Sequence, residues 1–148
     1  MRIRQRAYFA VKSDRLSAAE ITARLGLGPD ESTVRGSRVA DPPRPALHAW
    51  TIRCDRAVRV DEQLGELMAR LAPVRAALTT LLAEGHYGVL QVVRHLADPE
   101  GDLERHPQRD DDLEVLEGQH QLLGWHLDRA MIEFLVETGV ELDVDEYG

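Results

Sequence analysis

The sequence predicts an α+β fold in which a mixed sheet of about five strands carries helices packed on it. One observation is the alternation of apolar and polar residues near both ends of the chain, which is typical of half-buried strands. A second is the recurrence of apolar residues at helical spacing between those segments, bounded by capping residues, glycine and proline. The predicted element order is β-α-β-α-β-β-α-β.

The first predicted strand covers about residues 3–12. Alternate positions place apolar residues on one side and polar residues on the other: Ile3, Ala7, Phe9 and Val11 against Arg2, Arg4, Arg6 and Tyr8. Ser17 then stands three residues before Glu20, which is the spacing of a reciprocal capping box and predicts a helix start. Gly26 can end that helix. Residues 29–48 are rich in proline and glycine and predict a surface loop.

The middle of the chain combines a strand, an interrupted helix and a second, buried strand. Trp50, Ile52 and Cys54 alternate with polar residues and predict the strand. Helical spacing follows in Val60, Leu64, Leu67, Met68 and Leu71, and resumes in Val74, Leu78, Leu81 and Leu82. Pro73 would clash with the preceding turn of a continuous helix, so a break is expected there. Residues 87–96 are nearly continuously apolar, as in a strand buried on both faces.

The last part of the chain is predicted to contain two strands around one helix. The first of these strands covers residues 119–125. Asp128 can cap a helix that ends at Gly139. Its predicted inward residues are Met131, Ile132, Leu135 and Val136. The final strand places Val140, Leu142 and Val144 on one face and Glu141, Asp143 and Asp145 on the other.

Length and composition indicate one cytoplasmic domain over residues 1–148. The chain has 148 residues, of which 43% are hydrophobic and 30% are charged, as in ordinary globular domains. No apolar run approaches the ~18 residues that a membrane span requires, and no secretory signal is expected. The single cysteine, Cys54, excludes an internal disulfide bond.

The charge is unevenly distributed along the chain. Residues 1–97 carry 15 basic and 10 acidic side chains, whereas residues 98–148 carry 3 and 16. The net charge of −8 would repel nucleic-acid phosphates over most of the surface, so no nucleic-acid partner is expected. Residues 98–118 contain two prolines, two glycines and an acidic triplet, which predicts a mobile acidic loop.

Several of these segments form a pattern that extends over nearly the whole chain. It consists of the N-terminal strand, SAAEITARLGLGPDESTVRGS at residues 17–37, Trp50 opening a strand, a helix with a central Pro73, and the terminal LDVDEY with Asp143, Asp145 and Tyr147. This pattern resembles the bacterial domain of unknown function 4279. The acidic insertion at 98–118 is longer than the pattern requires. The resemblance implies an α+β fold of this strand order, and it implies no established activity and no catalytic residues.

The terminal carboxylates Glu141, Asp143 and Asp145 form one row along the last predicted strand. A straight row does not converge on one ion, so no metal site is predicted there. A matching basic row lies on the first strand, at Arg2, Arg4 and Arg6. If the two strands are neighbours, each opposite pair contributes roughly 0.2–1 kcal/mol. We therefore expect these carboxylates to pair with the arginines on the surface.

No catalytic residue, cofactor or metal site is predicted elsewhere. The histidines include no HExxH or HxE spacing. Cys54 is expected to be a small buried hydrophobe. Gly26 and Gly28 do not match a phosphate-loop spacing, and they end a helix instead of preceding one.

Two groups of charged residues remain as candidate binding residues. Arg35, Arg38 and Arg44 on the 29–48 loop could bind an anionic ligand. Asp110, Asp111 and Asp112 could bind a basic protein partner, because an acidic surface accelerates encounter with one.

Three functional hypotheses follow from these features. The first is a non-enzymatic protein-interaction module with an acidic contact surface, of the immunity or inhibitor kind. The alternative is a small domain that binds an anionic ligand with the 29–48 loop and the sheet face. A hydrolase-like enzyme is the third, and the missing catalytic motif disfavours it.

Overall fold

The computed structural model describes residues 2–38, 41–42, 44–103 and 122–148. The strands in these ranges are β1 (Arg2–Ser13), β2 (Glu31–Thr33), β3 (His48–Cys54), β4 (Tyr87–His95), β5 (Asp102–Leu103) and β6 (Glu141–Tyr147). The helices are α1 (Ala18–Leu25), α2 (Val60–Leu71), α3 (Arg75–Ala83) and α4 (Arg129–Thr138). A 3-10 turn at Ala72–Val74 joins α2 to α3. None of the described helices is long and apolar enough to cross a membrane.

The strands form one mixed sheet in the order β2-β3-β1-β4-β6, and β5 pairs with the start of β1. All pairs are antiparallel except β4 and β6, which run parallel. The predicted α+β fold with helices packed on a mixed sheet is therefore confirmed, and the order of elements broadly matches.

The main differences from the prediction concern short strands. β2 and β5 contain three and two residues, which is too short for an alternating pattern to be recognised in sequence. Both strands exist because longer neighbours, β3 and β1, offer them backbone partners. A strand was also predicted at 119–125. Residues 122–125 do not form a strand, and residues 119–121 lie outside the described ranges.

The core lies on one side of the sheet. Each of the four helices contributes buried side chains to a cluster that also contains alternate residues of β1, β3 and β4. Phe9 and Trp50 meet edge to face at its centre, with their ring centroids 6.2 Å apart. The Trp50 indole nitrogen donates a hydrogen bond to Thr22 Oγ1 at 3.1 Å, which ties β3 to α1.

Local signals set the helix ends as predicted. Ser17 and Glu20 form the reciprocal capping box, and Gly26 ends α1 at a φ of 71°. Asp128 accepts a hydrogen bond from the Met131 backbone at 2.8 Å and caps α4. Pro73 lies in the 3-10 turn that interrupts the second helical segment.

The inward face of α4 was predicted incorrectly in part. Phe134 and Thr138 are the buried residues, whereas Ile132 and Val136 are exposed by 49% and 77%. The helix turns a face to α3 that is rotated from the predicted one. The stripe at 131, 134, 135 and 138 satisfies the same helical spacing as the predicted stripe, so the sequence period alone does not distinguish the two.

Candidate functional site

The side of the sheet opposite the core is not covered by any described helix, and we call it the open face. The strand register places its residues in rows that run across the sheet. One row contains Arg53, Tyr8, Gln91 and Asp143, and the next contains Arg6, Val93 and Asp145. Such rows exist because directly paired residues on neighbouring strands point to the same side.

Charge divides the open face into a basic part and an acidic part. Arg4, Arg6 and Lys12 lie on β1 and Arg53 on β3, whereas Glu141, Asp143 and Asp145 lie on β6 at the edge of the sheet. β4 lies between the two parts, and its Val89, Gln91 and Val93 on this side are only 1%, 5% and 9% exposed, as predicted for a strand buried on both faces. Two strand spacings, about 10 Å, therefore separate the basic and acidic rows.

The expected pairing of the first-strand arginines with the terminal carboxylates is wrong. It assumed that the first and last strands are neighbours, and β4 lies between them. Arg4 instead pairs with Asp98 at 3.0 Å and Glu100 at 3.1 Å, and Arg2 donates to the Gly101 carbonyl at 3.0 Å. Arg2 and Arg4, which were expected to pair with β6, are thus bound by the segment that follows β4.

The carboxylate row on β6 has no cationic partner among the described residues. No Arg, Lys or His nitrogen of that part of the chain lies within 4.0 Å of Glu141, Asp143 or Asp145. Asp145 accepts a hydrogen bond from the Gln91 amide at 3.1 Å. Some other carboxylates are paired with arginine, for example Asp30, which accepts hydrogen bonds from Arg70 at 2.7 and 3.0 Å. No group of three potential metal ligands was found among the described residues.

Two tyrosines on the open face carry raised pKa values. Burial is the largest cause of the raised pKa of Tyr8, opposed by Arg6 and reinforced by Asp145, Asp143 and Glu31. Burial also raises the pKa of Tyr87, and its hydrogen bond to Glu141 adds to the effect. Both phenols therefore remain neutral at physiological pH; the Tyr87 hydroxyl already donates to Glu141, whereas the Tyr8 hydroxyl can donate to a further group.

A shallow cavity of about 380 Å³ lies on the basic part of the open face. Its lining includes Ala10, Ala49 and Thr51, which are small residues of β1 and β3, together with Tyr8, Lys12 and Arg53. The Arg53 guanidinium is already paired with Asp55 at 3.2 Å and Glu31 at 3.7 Å. Arg6 lines the same cavity and has no carboxylate partner within 4.0 Å in the described part of the chain.

The sequence model of one family, a domain of unknown function (DUF4279), matches residues 2–148. The chain belongs to this family. No curated protein and no solved structure matches it. The segments that carried the resemblance have clear positions in the DUF4279 domain: residues 21–26 form the end of α1, and Asp143, Asp145 and Tyr147 share the open face of β6.

The three arginines predicted to bind an anionic ligand are all exposed on the 29–48 loop of the DUF4279 domain. Arg38 and Arg44 are brought together by an isolated β-bridge, in which the Arg38 nitrogen donates to the Arg44 carbonyl at 3.0 Å. Arg35 reaches instead to the Asp14 carbonyl, at 3.2 Å. None of the three lines the cavity on the open face. Asp110, Asp111 and Asp112 lie outside the described residues.

The Cys54 thiol lies on the core side of β3. Its Sγ is 3.1 Å from Glu66 Oε2, and burial raises its pKa, with Glu66 adding to the effect. A thiol in this environment stays protonated at neutral pH, and the protonated form is a poor nucleophile.

Sequence reasoning missed Arg94, a charged residue inside a strand that was predicted to be apolar. Its side chain is 4% exposed and lies on the core side of β4. Four neighbours accept hydrogen bonds from it: Gln5 Oε1 at 3.3 Å, Glu146 Oε1 at 2.6 Å, and the carbonyls of Leu122 at 3.3 Å and Leu123 at 2.9 Å. An arginine in the middle of an apolar run was the available signal, because a buried charge requires partners of this kind.

Proposed function

We propose that this DUF4279 domain is a non-enzymatic protein-interaction module that binds a basic protein surface through the open face of its sheet. The observation that carries the proposal is the row of Glu141, Asp143 and Asp145. These carboxylates lie on one side of an edge strand, and no described cation pairs with them.

The arrangement favours binding over chemistry. A catalytic carboxylate pair needs a pocket in which burial or a partner separates the two pKa values. The β6 row lies at the edge of the sheet, where Glu141 and Asp143 are exposed and Asp145 is half-buried, so a protein surface can approach it. Complementary charge across such a contact raises the rate of association and selects basic partners.

Capture of proteins from the native lysate tests the proposal. The wild-type chain is compared with a triple variant, Glu141→Gln, Asp143→Asn and Asp145→Asn. We expect a captured protein with a basic surface, released by moderate salt, that binds the triple variant at least about tenfold more weakly. Salt dependence is essential to this expectation, because charge pairs at an accessible surface are screened.

The matched control removes the same number of negative charges away from the open face. Asp14→Asn, Glu133→Gln and Glu137→Gln serve this purpose, since each carboxylate is solvent-accessible and paired locally with Arg15, Arg129 or Arg75. The control variant should retain the partner. Equal loss of the partner in both variants would mean that net charge, not the β6 row, governs binding.

The same proposal places the protein in the cytoplasm. Its only cysteine, Cys54, is free and buried, and a buried thiol gives the fold no dependence on an oxidising compartment. Fractionation of the native cell tests this part of the proposal.

A second candidate function is the binding of a small anionic ligand, and the cavity on the basic part of the open face favours it. Arg6 and Lys12 line this cavity and make no ion pair with a described carboxylate. If the cavity binds anions, inorganic phosphate should raise the melting temperature of the wild-type chain. The shift should disappear in the Arg6→Ala, Lys12→Ala double variant. An equal shift in both proteins would assign the effect to general salt stabilisation.

A further inference from the structure

The open face is complementary in charge to a copy of itself. In the row that contains Arg6, Val93 and Asp145, the cation and the carboxylate lie one strand to either side of β4. A twofold axis parallel to β4, placed between two open faces, leaves β4 opposite β4 and exchanges β1 with β6. Arg6 of each copy then faces Asp145 of the other copy, because both belong to the same row.

The neighbouring row fits the same operation. Tyr8 and Asp143 lie on either side of Gln91, so the axis places the Tyr8 side chain of one copy opposite Asp143 of the other. The phenol remains protonated at neutral pH and can donate to that carboxylate. A C2 contact of this kind is isologous, and each favourable pair occurs twice.

We infer that the partner of the open face is a second copy of this chain, bound face to face with Arg6 of each copy paired to Asp145 of the other. This inference rests on the proposed function, since it names the basic surface to which the β6 row binds. Arg6 is exposed and Asp145 is half-buried, and within the described ranges neither makes an ion pair; Asp145 accepts one hydrogen bond, from the Gln91 amide.

The spacing of packed sheets supports the contact. Sheets that pack face to face lie about 10 Å apart, a gap that a long arginine and a short aspartate fill together. The operation places β1, β4 and β6 of one copy over β6, β4 and β1 of the other, and three strands of about seven residues give an overlap of roughly 14 Å by 24 Å. The two copies together bury on the order of 700 Å², which is below the usual size of specific interfaces, so the dimer should be weak and concentration-dependent.

Pairing through the β6 edge is the other way in which two copies could meet at this strand. An antiparallel β6–β6 pair would bring the carboxylates of both copies together, and like charges on paired strands repel. Charged residues on edge strands commonly prevent such pairing. The charge pattern thus favours face-to-face contact over edge-to-edge contact.

A charge-swap experiment tests the inference by sedimentation equilibrium over a range of protein concentrations at low salt. Arg6→Asp alone and Asp145→Arg alone should each weaken the dimer at least about tenfold, because each creates two like-charge contacts. An equimolar mixture of the two variants should restore it, since the heterodimer then contains two opposite-charge pairs. The double variant in one chain should also dimerise.

Controls separate this contact from general charge effects. Arg129→Asp with Glu133→Arg swaps an exposed pair on α4, away from the open face, and should leave the dimer unchanged. Circular dichroism of each variant establishes that it is folded. Arg6 makes no hydrogen bond or ion pair with a described residue, so Arg6→Asp by itself decides the question if Asp145→Arg does not fold.

A wild-type chain that is monomeric at all concentrations, or a dimer that Arg6→Asp does not weaken, would overturn the inference. Suppose that the inference fails but the wild-type chain captures a basic protein from the lysate that the triple variant of the β6 row does not bind. The proposed function then stands, and only the identity of the partner is wrong. If the triple variant retains every captured protein and the wild-type chain is monomeric, both fail.

Discussion

The Arg94 guanidinium lies 2.6 Å from the Glu146 carboxylate, and their side chains are 4% and 47% exposed. This ion pair joins β4 to the edge strand β6 from the core side. The same guanidinium binds Gln5 of β1 and the carbonyls of residues 122 and 123. Arg94 therefore fixes both the position of β6, which carries the proposed contact row, and the chain that leads into α4.

Arg94→Met should destabilise the fold strongly. The substitution leaves two carbonyls and a glutamine without their donor, and removal of one member of a buried hydrogen-bonded network costs about 3 kcal/mol. Urea denaturation followed by circular dichroism measures the loss. Arg4→Met is the control, because the Arg4 side chain is 53% exposed and its ion pairs with Asp98 and Glu100 should contribute less than about 1 kcal/mol. Equal losses in the two variants would contradict the structural role of Arg94.

Gly101→Ala should be more harmful than Gly88→Ala. A Cβ at Gly101 would lie 2.6 Å from the Ile3 carbonyl carbon and 2.9 Å from the Arg4 nitrogen, so the backbone of β1 would have to move. A Cβ at Gly88 would meet the end of the Leu82 side chain, also at 2.6 Å, which can change its rotamer. We expect Gly101→Ala to lower the free energy of unfolding, measured by thermal denaturation, by about 1–3 kcal/mol. Gly28→Ala, with nothing within 4 Å of the added carbon, is the neutral control.

Asp30 should make the stability depend on pH in the acidic range. Its pKa is lowered, first by the hydrogen bonds from Arg70 and also by the backbone nitrogen of Arg53. A carboxyl whose pKa is lower in the folded state stabilises the fold above its unfolded pKa, about 3.9. That contribution disappears as the pH falls through the folded pKa. Asp30→Asn should therefore be less stable than wild type at pH 7, and the two unfolding curves should converge at low pH.

Arg70→Met provides the control for this prediction. Without the Arg70 guanidinium, the pKa of Asp30 loses its main lowering cause, so Asp30→Asn should have a smaller effect in that background. If Asp30→Asn lowers the free energy of unfolding by the same amount with and without Arg70, then Arg70 is not the partner responsible.

Tyr8 should report on the charges of the open face. Its pKa is raised, so tyrosinate absorbance from this residue should appear above the ordinary value of about 10. Asp143→Asn and Asp145→Asn should lower that pKa, because two negative charges that oppose ionisation are removed. Arg6→Met should raise it further. Ultraviolet titration of each variant, with the Tyr8→Phe chain as reference, measures the pKa of Tyr8. If none of the three substitutions changes this pKa, Tyr8 does not share a face with these charged residues.

The local features of this protein were predictable because the residues that create them are close in sequence. The capping box of Ser17 and Glu20, the cap at Asp128 and the helix end at Gly26 each depend on contacts within one turn. The break at Pro73 follows from ring sterics with the preceding turn. The alternation in β1 identified correctly which residues reach the core, since neighbouring side chains on a strand point to opposite sides.

The candidate site was predictable only in its parts. The sequence identified the carboxylate row of β6 and the arginines of β1 as two rows of opposite charge. It placed Tyr8 on the same side of the first strand as those arginines, but it did not identify Gln91 as a member of that face, because the position of Gln91 depends on the pairing of three strands. Arg94 was missed for the same reason, since its partners come from residues 5, 122, 123 and 146.

By itself the sequence determined the helices and their caps, the longer strands β1, β3, β4 and β6, and the residues that β1 turns inward. The tertiary structure alone decided which strands are neighbours. Strand pairing depends on hydrogen bonds between segments that are dozens of residues apart, and the pattern of one strand does not encode its neighbour. The insertion of β4 between β1 and β6 therefore separated the arginines from the terminal carboxylates and left both on one open face.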